Sequence, residues 1–224
     1  MTTLVRCGDA MNLDERPERL TTLIQEMGDR VGDAMDRLVV GFSKQDRESC
    51  TALVVDGAEL DDLHREARDL CFSRLLSPVS MTADDLRWMI SMEQVAAELE
   101  RMGDHCVSVA KIARELVGLS DVPPTTDLSE LVSACARQVR GIVSALASAD
   151  PHRARFVAFN APNVDVICRR VVANLNAHRS GAEGALSASR LRLATRHIER
   201  VAEHVTNVAE HLVDAATGQI EALV

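Results

Sequence analysis

The chain has 224 residues, 46% of them hydrophobic and 26% charged, with a net charge of −9 at pH 7. That acidic balance argues against nucleic acid, whose phosphates demand a basic patch, and no run approaches the roughly 20 apolar residues of a membrane span. Aromatic residues make up 2% and Tyr is absent, so Leu, Val, Ala, Met and Ile must fill the core, which suits closely packed helices.

Six cysteines (Cys7, Cys50, Cys71, Cys106, Cys135 and Cys168) show no C-x-x-C and no zinc-site spacing. With no signal peptide visible, they read as reduced core residues of a cytoplasmic protein.

Residues 1 to about 15 are irregular. A first helix is predicted from near Pro17 through Leu20, Met27, Met35 and Val39, with Gly41 near its end. Asp46 can cap a second, running to Leu75 and stopped by Ser77-Pro78. Thr82 to Asp85 reads as a capping-box start for a long third helix that lasts to Gly118. Leu119 to Thr126, rich in Pro and Thr, separates the long periodic segments and marks a boundary. A fourth helix is predicted from about Leu128 to Ala147. Asp150-Pro151 opens a fifth, kinked where Pro162 removes a backbone donor. The sixth runs from about 185 to 216 and ends at Thr217-Gly218. With no period-2 segment to suggest a strand, the fold class is all-α. Two three-helix bundles stand in tandem, residues 1–120 and 121–224.

The third and sixth helices say nearly the same thing. Leu99-Glu-Arg-Met-Gly-Asp-His-Cys-Val-Ser-Val-Ala110 matches Ile198-Glu-Arg-Val-Ala-Glu-His-Val-Thr-Asn-Val-Ala209 at an offset of 99 residues. On a helix, Glu100 and Asp104 lie about 40° apart on one face, as do Glu199 and Glu203. Both pairs oppose their helix's apolar stripe: Val95, Leu99, Met102, Cys106, Val109 and Ala113 in one copy, Ala194, Ile198, Val201, Val205, Val208 and Leu212 in the other. Acids at i and i+4 give two co-facing oxygen ligands, and a neighbouring helix must supply the rest. Asp56, Glu59 and Asp61 on the second helix and Asp165 on the fifth are the candidates. A solvated acidic face gives the same pattern, and Arg196 is placed to neutralise Glu199 in an ordinary ion pair.

His197, His204 and His211 recur every seven residues, roughly 10 Å apart along the axis and too far to share one ion. They flank the apolar stripe, as His105 does, and read as boundary packing or hydrogen bonding. No E-x-x-H pair, phosphate loop, G-x-S-x-G or H-E-x-x-H occurs, so no catalytic apparatus is legible. Arg190, Arg192, Arg196 and Arg200 form a local basic run, able to meet an acidic partner or to lie on a solvated face.

The repeated Glu-Arg-x-x-acid-His stretches, followed by Ser108-Val-Ala and Asn207-Val-Ala, resemble the paired motifs of the PhoU family. So does the ending from Glu210 to Thr217-Gly218, and the resemblance covers nearly the whole chain. It implies a cytoplasmic, non-enzymatic regulator of phosphate uptake and phosphate-starvation signalling. Its implied partners are the ATPase of the phosphate ABC transporter, the membrane sensor histidine kinase and a second copy in a homodimer, without nucleic acid or membrane insertion. The resemblance also implies metal on the acidic motifs: Glu100, Asp104 and Asp61 in one copy, Glu199, Glu203 and Asp165 in the other. Iron, zinc, manganese or magnesium are the ions in question. The family's usual first acid of the second- and fifth-helix motifs falls at Gly57 and Ala161, implying single ions rather than full clusters. Alternative readings are a similar module serving another transporter or signalling pair, and a carboxylate-cluster metalloenzyme.

Overall fold

The helices that the apolar periodicity predicts are present, the fifth divided in two, and side-chain caps at Asp46, Thr82 and Asp150 fix where three of them start. The computed structural model describes residues 16–44, 46–78, 80–117, 119, 121–177 and 181–223, with the side chains of 16, 17, 43, 44, 56 and 162 outside that description. Helix α1 spans Arg16–Lys44. Helix α2, Arg47–Leu75, starts where the Asp46 carboxylate accepts hydrogen bonds from the backbone N–H groups of Glu48 and Ser49. Helix α3, Ala83–Leu116, starts with a full capping box between Thr82 and Asp85. Its predicted end at Gly118 lies outside the described residues.

In the second half, α4 spans Thr126–Ala147 and opens two residues before the predicted Leu128. The predicted kinked fifth helix is instead two helices, α5 (Pro151–Phe159) and α6 (Pro162–Ala177). Proline lacks an N–H and its ring collides with the preceding turn, so a kink becomes a break. The break is sealed locally: the Asn160 side-chain amide donates to the Phe156 carbonyl at 2.7 Å. Helix α7, Ala182–Thr217, begins three residues earlier than predicted, without a side-chain cap. It stops at Gly218, which takes the left-handed conformation with φ 69° and donates to the Asp214 carbonyl.

The helices make two tandem bundles, α1–α2–α3 and α4–(α5, α6)–α7. Helix α1 packs on α4 and α3 packs along α7. The halves therefore meet through helices that are equivalent in the duplication, and one continuous apolar core runs across them. Both predicted stripes are buried: Leu99, Met102, Ile198 and Val201 have no exposed surface. Each such side chain contributes about 1.5–3 kcal/mol by leaving water, which holds helices that propensity alone would not. The five described cysteines are buried free thiols, and Cys7 lies outside the described residues. Among the described residues no helix is long and apolar enough to cross a membrane.

Candidate metal centre and the seam between the repeats

Helix α2 packs tightly on α3 at two points. Two glycines allow it: a Cβ at Gly103 would stand 2.1 Å from Leu60, and one at Gly57 would stand 2.8 Å from Val107. The close approach carries Asp61, on the turn after Leu60, to Glu100 and Asp104. One ligand oxygen from each of these three carboxylates lies within 4.8 Å of the others. Oxygens that share one hard cation at about 2.3–2.6 Å can be up to about 5 Å apart, so the set fits such an ion. Glu100 is partly buried while Asp61 and Asp104 are exposed. Burial raises the Glu100 carboxyl above its usual range, and the charges of Asp104 and Asp61 push the same way against an opposing effect of His64. Arg101, next along the helix, turns to Glu98 at 2.7 Å.

The equivalent acids of the second repeat meet different neighbours. Arg196 pairs with Glu199 at 2.5 Å and reaches Glu203 at 3.4 Å, while Arg200 pairs with Glu203 at 2.7 Å. Asp165 is exposed on α6. It and Glu199 both act on the Cys168 thiol, which burial first of all, with these two charges adding, raises to about 12. Among the described residues the first-repeat acids are the one group of three with metal-ligand spacing. The residue equivalent to Gly103 is Ala202, so the second repeat has a methyl where the first has none. Of the remaining candidates, Glu59 pairs with Arg30, and the Asp56 side chain lies outside those described. The basic run on α7 is largely spent within the chain, since Arg190 also pairs with Glu115 at 3.4 Å.

Sequence reasoning missed Glu98 and His64. Glu98 is an acid inside the apolar stripe and only 6% exposed. It accepts hydrogen bonds from His204 Nδ1 at 2.5 Å and from the Asn207 amide at 3.0 Å, both on α7. Burial pushes its carboxyl up, but these bonds and the nearby cations prevail and hold it below the usual range. The signal in the sequence was an acid one position before a core Leu. His64 Nε2 is buried and has no hydrogen-bond partner among the described residues.

The heptad of histidines also looks different once α3 is in place. His105 lies between His197 and His204, stacked on His204 with ring centroids 5.4 Å apart and 3.1 Å from His197, Nδ1 to Nδ1. Burial, with the neighbouring imidazoles adding, lowers the pKa of His105 to about 4, and burial also lowers that of His197. The offset of 99 turns His105 into His204 and Glu98 into His197. The contacts Glu98–His204 and His197–His105 are therefore the same contact seen from the two halves, with the His105–His204 stack between them. Of the predicted boundary packing or hydrogen bonding, hydrogen bonding is what His105, His197 and His204 do.

An all-α duplication whose equivalent long helices face each other, with an acidic triad on one flank, defines a tandem-bundle protein with a candidate cation site. The PhoU domain matches residues 24–113 and 128–212, one match in each half. The chain belongs to the PhoU family. It is 30% identical over 210 residues to the "Phosphate-specific transport system accessory protein PhoU homolog" of Zymomonas mobilis, covering 92% of this chain and 87% of that protein. It is 26% identical over 206 residues to "PhoU homolog 2" of Mycobacterium tuberculosis, covering 90% and 96%. The crystal structure of PhoU from Pseudomonas aeruginosa superposes with a TM-score of 0.84 at 22% identity, over 93% of this chain and all of that one. The PhoU structure from Streptococcus pneumoniae also gives 0.84, at 19% identity and over 94% and 99%.

Proposed function

We propose that this protein is a non-enzymatic regulator of phosphate uptake, an adaptor between the phosphate ABC transporter and its membrane sensor histidine kinase. The observation that carries the reading is the family match in both repeats, together with relatives named as accessory proteins of phosphate-specific transport. The reading places the protein in the cytoplasm, negatively regulating phosphate-starvation genes, as a homodimer, with its halves divided near residue 120. Its surface acts by protein contact, as the accessory role in the names of its relatives supports.

Metal belongs to the same proposal. Asp61, Glu100 and Asp104 would hold a divalent or trivalent ion such as iron, zinc, manganese or magnesium. The ion would supply positive charge that tethers α2 to α3 and relieves the like-charge repulsion that adds to burial in raising Glu100. Glu199, Glu203 and Asp165 are the weaker candidates, because Arg196 and Arg200 already neutralise the two glutamates.

Deleting the gene tests the function. The proposal expects phosphate-starvation genes to be expressed in phosphate-rich medium, and the purified chain to bind the transporter ATPase or the kinase's cytoplasmic region. Unchanged expression with no binding to either would overturn it.

A further inference from the structure

The contact that the duplication repeats across the seam is a carboxylate–imidazole pair on one side, Glu98 with His204, and an imidazole–imidazole pair on the other, His197 with His105. The second pair has lost the anion that would match a protonated ring. Its Nδ1 atoms are 3.1 Å apart and its ring centroids 5.2 Å apart. Zinc-like ions take imidazole nitrogen at about 2.0–2.1 Å with tetrahedral angles. Two imidazoles sharing such an ion through Nδ1 have nitrogens about 3.3 Å apart and ring centres about 5.1 Å apart. The two rings come from different helices and are held in place without any metal, by a hydrogen bond between the same two nitrogens. Both are only part-buried, leaving the outer positions of an ion open to water.

We propose that His105 and His197 form a metal site on the seam between the two repeats, taking a borderline transition ion such as zinc, nickel or copper. The ion takes the place of the shared proton: it binds both Nδ1 lone pairs, and the donor ring changes to its Nε2–H tautomer by exchange with water, so both rings stay neutral and no net proton is released. Nitrogen ligands select these ions over magnesium and calcium, which want oxygen. The site is separate from the acidic triad, which draws its oxygens from α2 and α3. An ion here ties α3 to α7 and so clamps one half of the chain to the other. It does not depend on the regulatory reading above.

The test is zinc titration by calorimetry on a Glu100→Gln, Asp104→Asn variant, which removes the acidic site, beside the same variant carrying His197→Gln. Zinc binding is expected in the first and weakened at least about tenfold in the second. Copper(II) electron paramagnetic resonance of the unaltered chain, with and without 15N-labelled histidine, covers the case in which His197→Gln does not fold. Two-nitrogen hyperfine structure that changes with the label is expected. Absence of zinc binding in the first variant, an unchanged affinity in the folded second, or an oxygen-only copper spectrum would each overturn the site.

Discussion

Glu98 accepts a hydrogen bond from His204 at 2.5 Å across the seam between the two halves, and only 6% of Glu98 is exposed. The bond matters because the carboxylate has little access to water that could replace it. Removing one partner of a buried charged pair strands the other, which costs more than the pair is worth. Glu98→Ala is expected to lower unfolding free energy by about 2–4 kcal/mol in urea titrations, with Asn207→Ala costing about 1 kcal/mol. A loss below about 0.5 kcal/mol for Glu98→Ala would show that the pair holds nothing together.

Gly103 leaves room for Leu60, and the packing of α2 on α3 depends on that. A methyl at 103 would stand 2.1 Å from the Leu60 side chain, so one of them must move. Gly103→Ala is expected to cost about 1–3 kcal/mol. Part should return in the Gly103→Ala, Leu60→Val double variant, which shortens the obstructing side chain. Additive effects in that double-mutant cycle would mean that the two residues are not coupled.

Burial, with the like charges of Asp104 and Asp61 adding, raises the Glu100 carboxyl, so its ionised form works against the fold. For an acid raised in this way the folded state binds more protons than the unfolded, and stability falls as pH climbs from 4.5 through the raised value. Glu100→Gln should therefore stabilise the metal-free chain at pH 7 by about 0.5 kcal/mol, a value kept small because the neighbouring acids are solvated. The same variant should abolish stabilisation by added manganese, an ion that prefers the oxygen ligands of the acidic triad. Thermal melts with and without manganese separate the two effects, and a destabilised metal-free variant would contradict the first.

His211 gives the chain an acid-sensitive point away from the acidic triad. Burial lowers its pKa from 6.5, against the pull of Glu98, Glu210 and Asp214. Below pH 6.5 the unfolded chain takes up a proton that the folded chain resists, so stability is lost as pH falls through the lowered value. His211→Gln should make the acid limb of the stability profile shallower while leaving the chain folded at pH 8. An identical limb would show that the imidazole titrates alike in both states.

Periodicity made the helices legible, because Leu99, Met102, Ile198 and their neighbours have no other reason to recur at helical spacing. Caps made their starts legible where a side chain does the capping, at Asp46, Thr82 and Asp150. Thr125 and Gly181 make no side-chain cap bond, and there the predicted starts were late by two and three residues. Pro162 was correctly read as a disruption, but its strength depends on what can satisfy the freed carbonyls, and the Ala161 N–H takes that of Ala158 while the Asn160 side chain and N–H take those of Phe156 and Val157. The acidic pairs were legible as faces, since a single helix fixes them. What joins Asp61 to Glu100 and Asp104 is the absence of a side chain at Gly57 and Gly103, and an absence carries little signal. The histidine seam was illegible for a related reason: spacing along α7 gives the distance between its own rings, not the ring that α3 inserts between them.

The stack of His105 on His204 has a consequence for how the halves could live apart. Each half shows the other the surface that a second copy of itself would show, in the self-complementary manner of a two-fold dimer. A separated half would leave the inner face of α3 or α7 bare to water, an apolar strip that a lone bundle of its size could not hide. Cut between the repeats, the pieces should reassociate with each other or pair like with like. The present chain is a dimer interface whose two faces are written in tandem in one sequence and kept at permanent high local concentration by their connection.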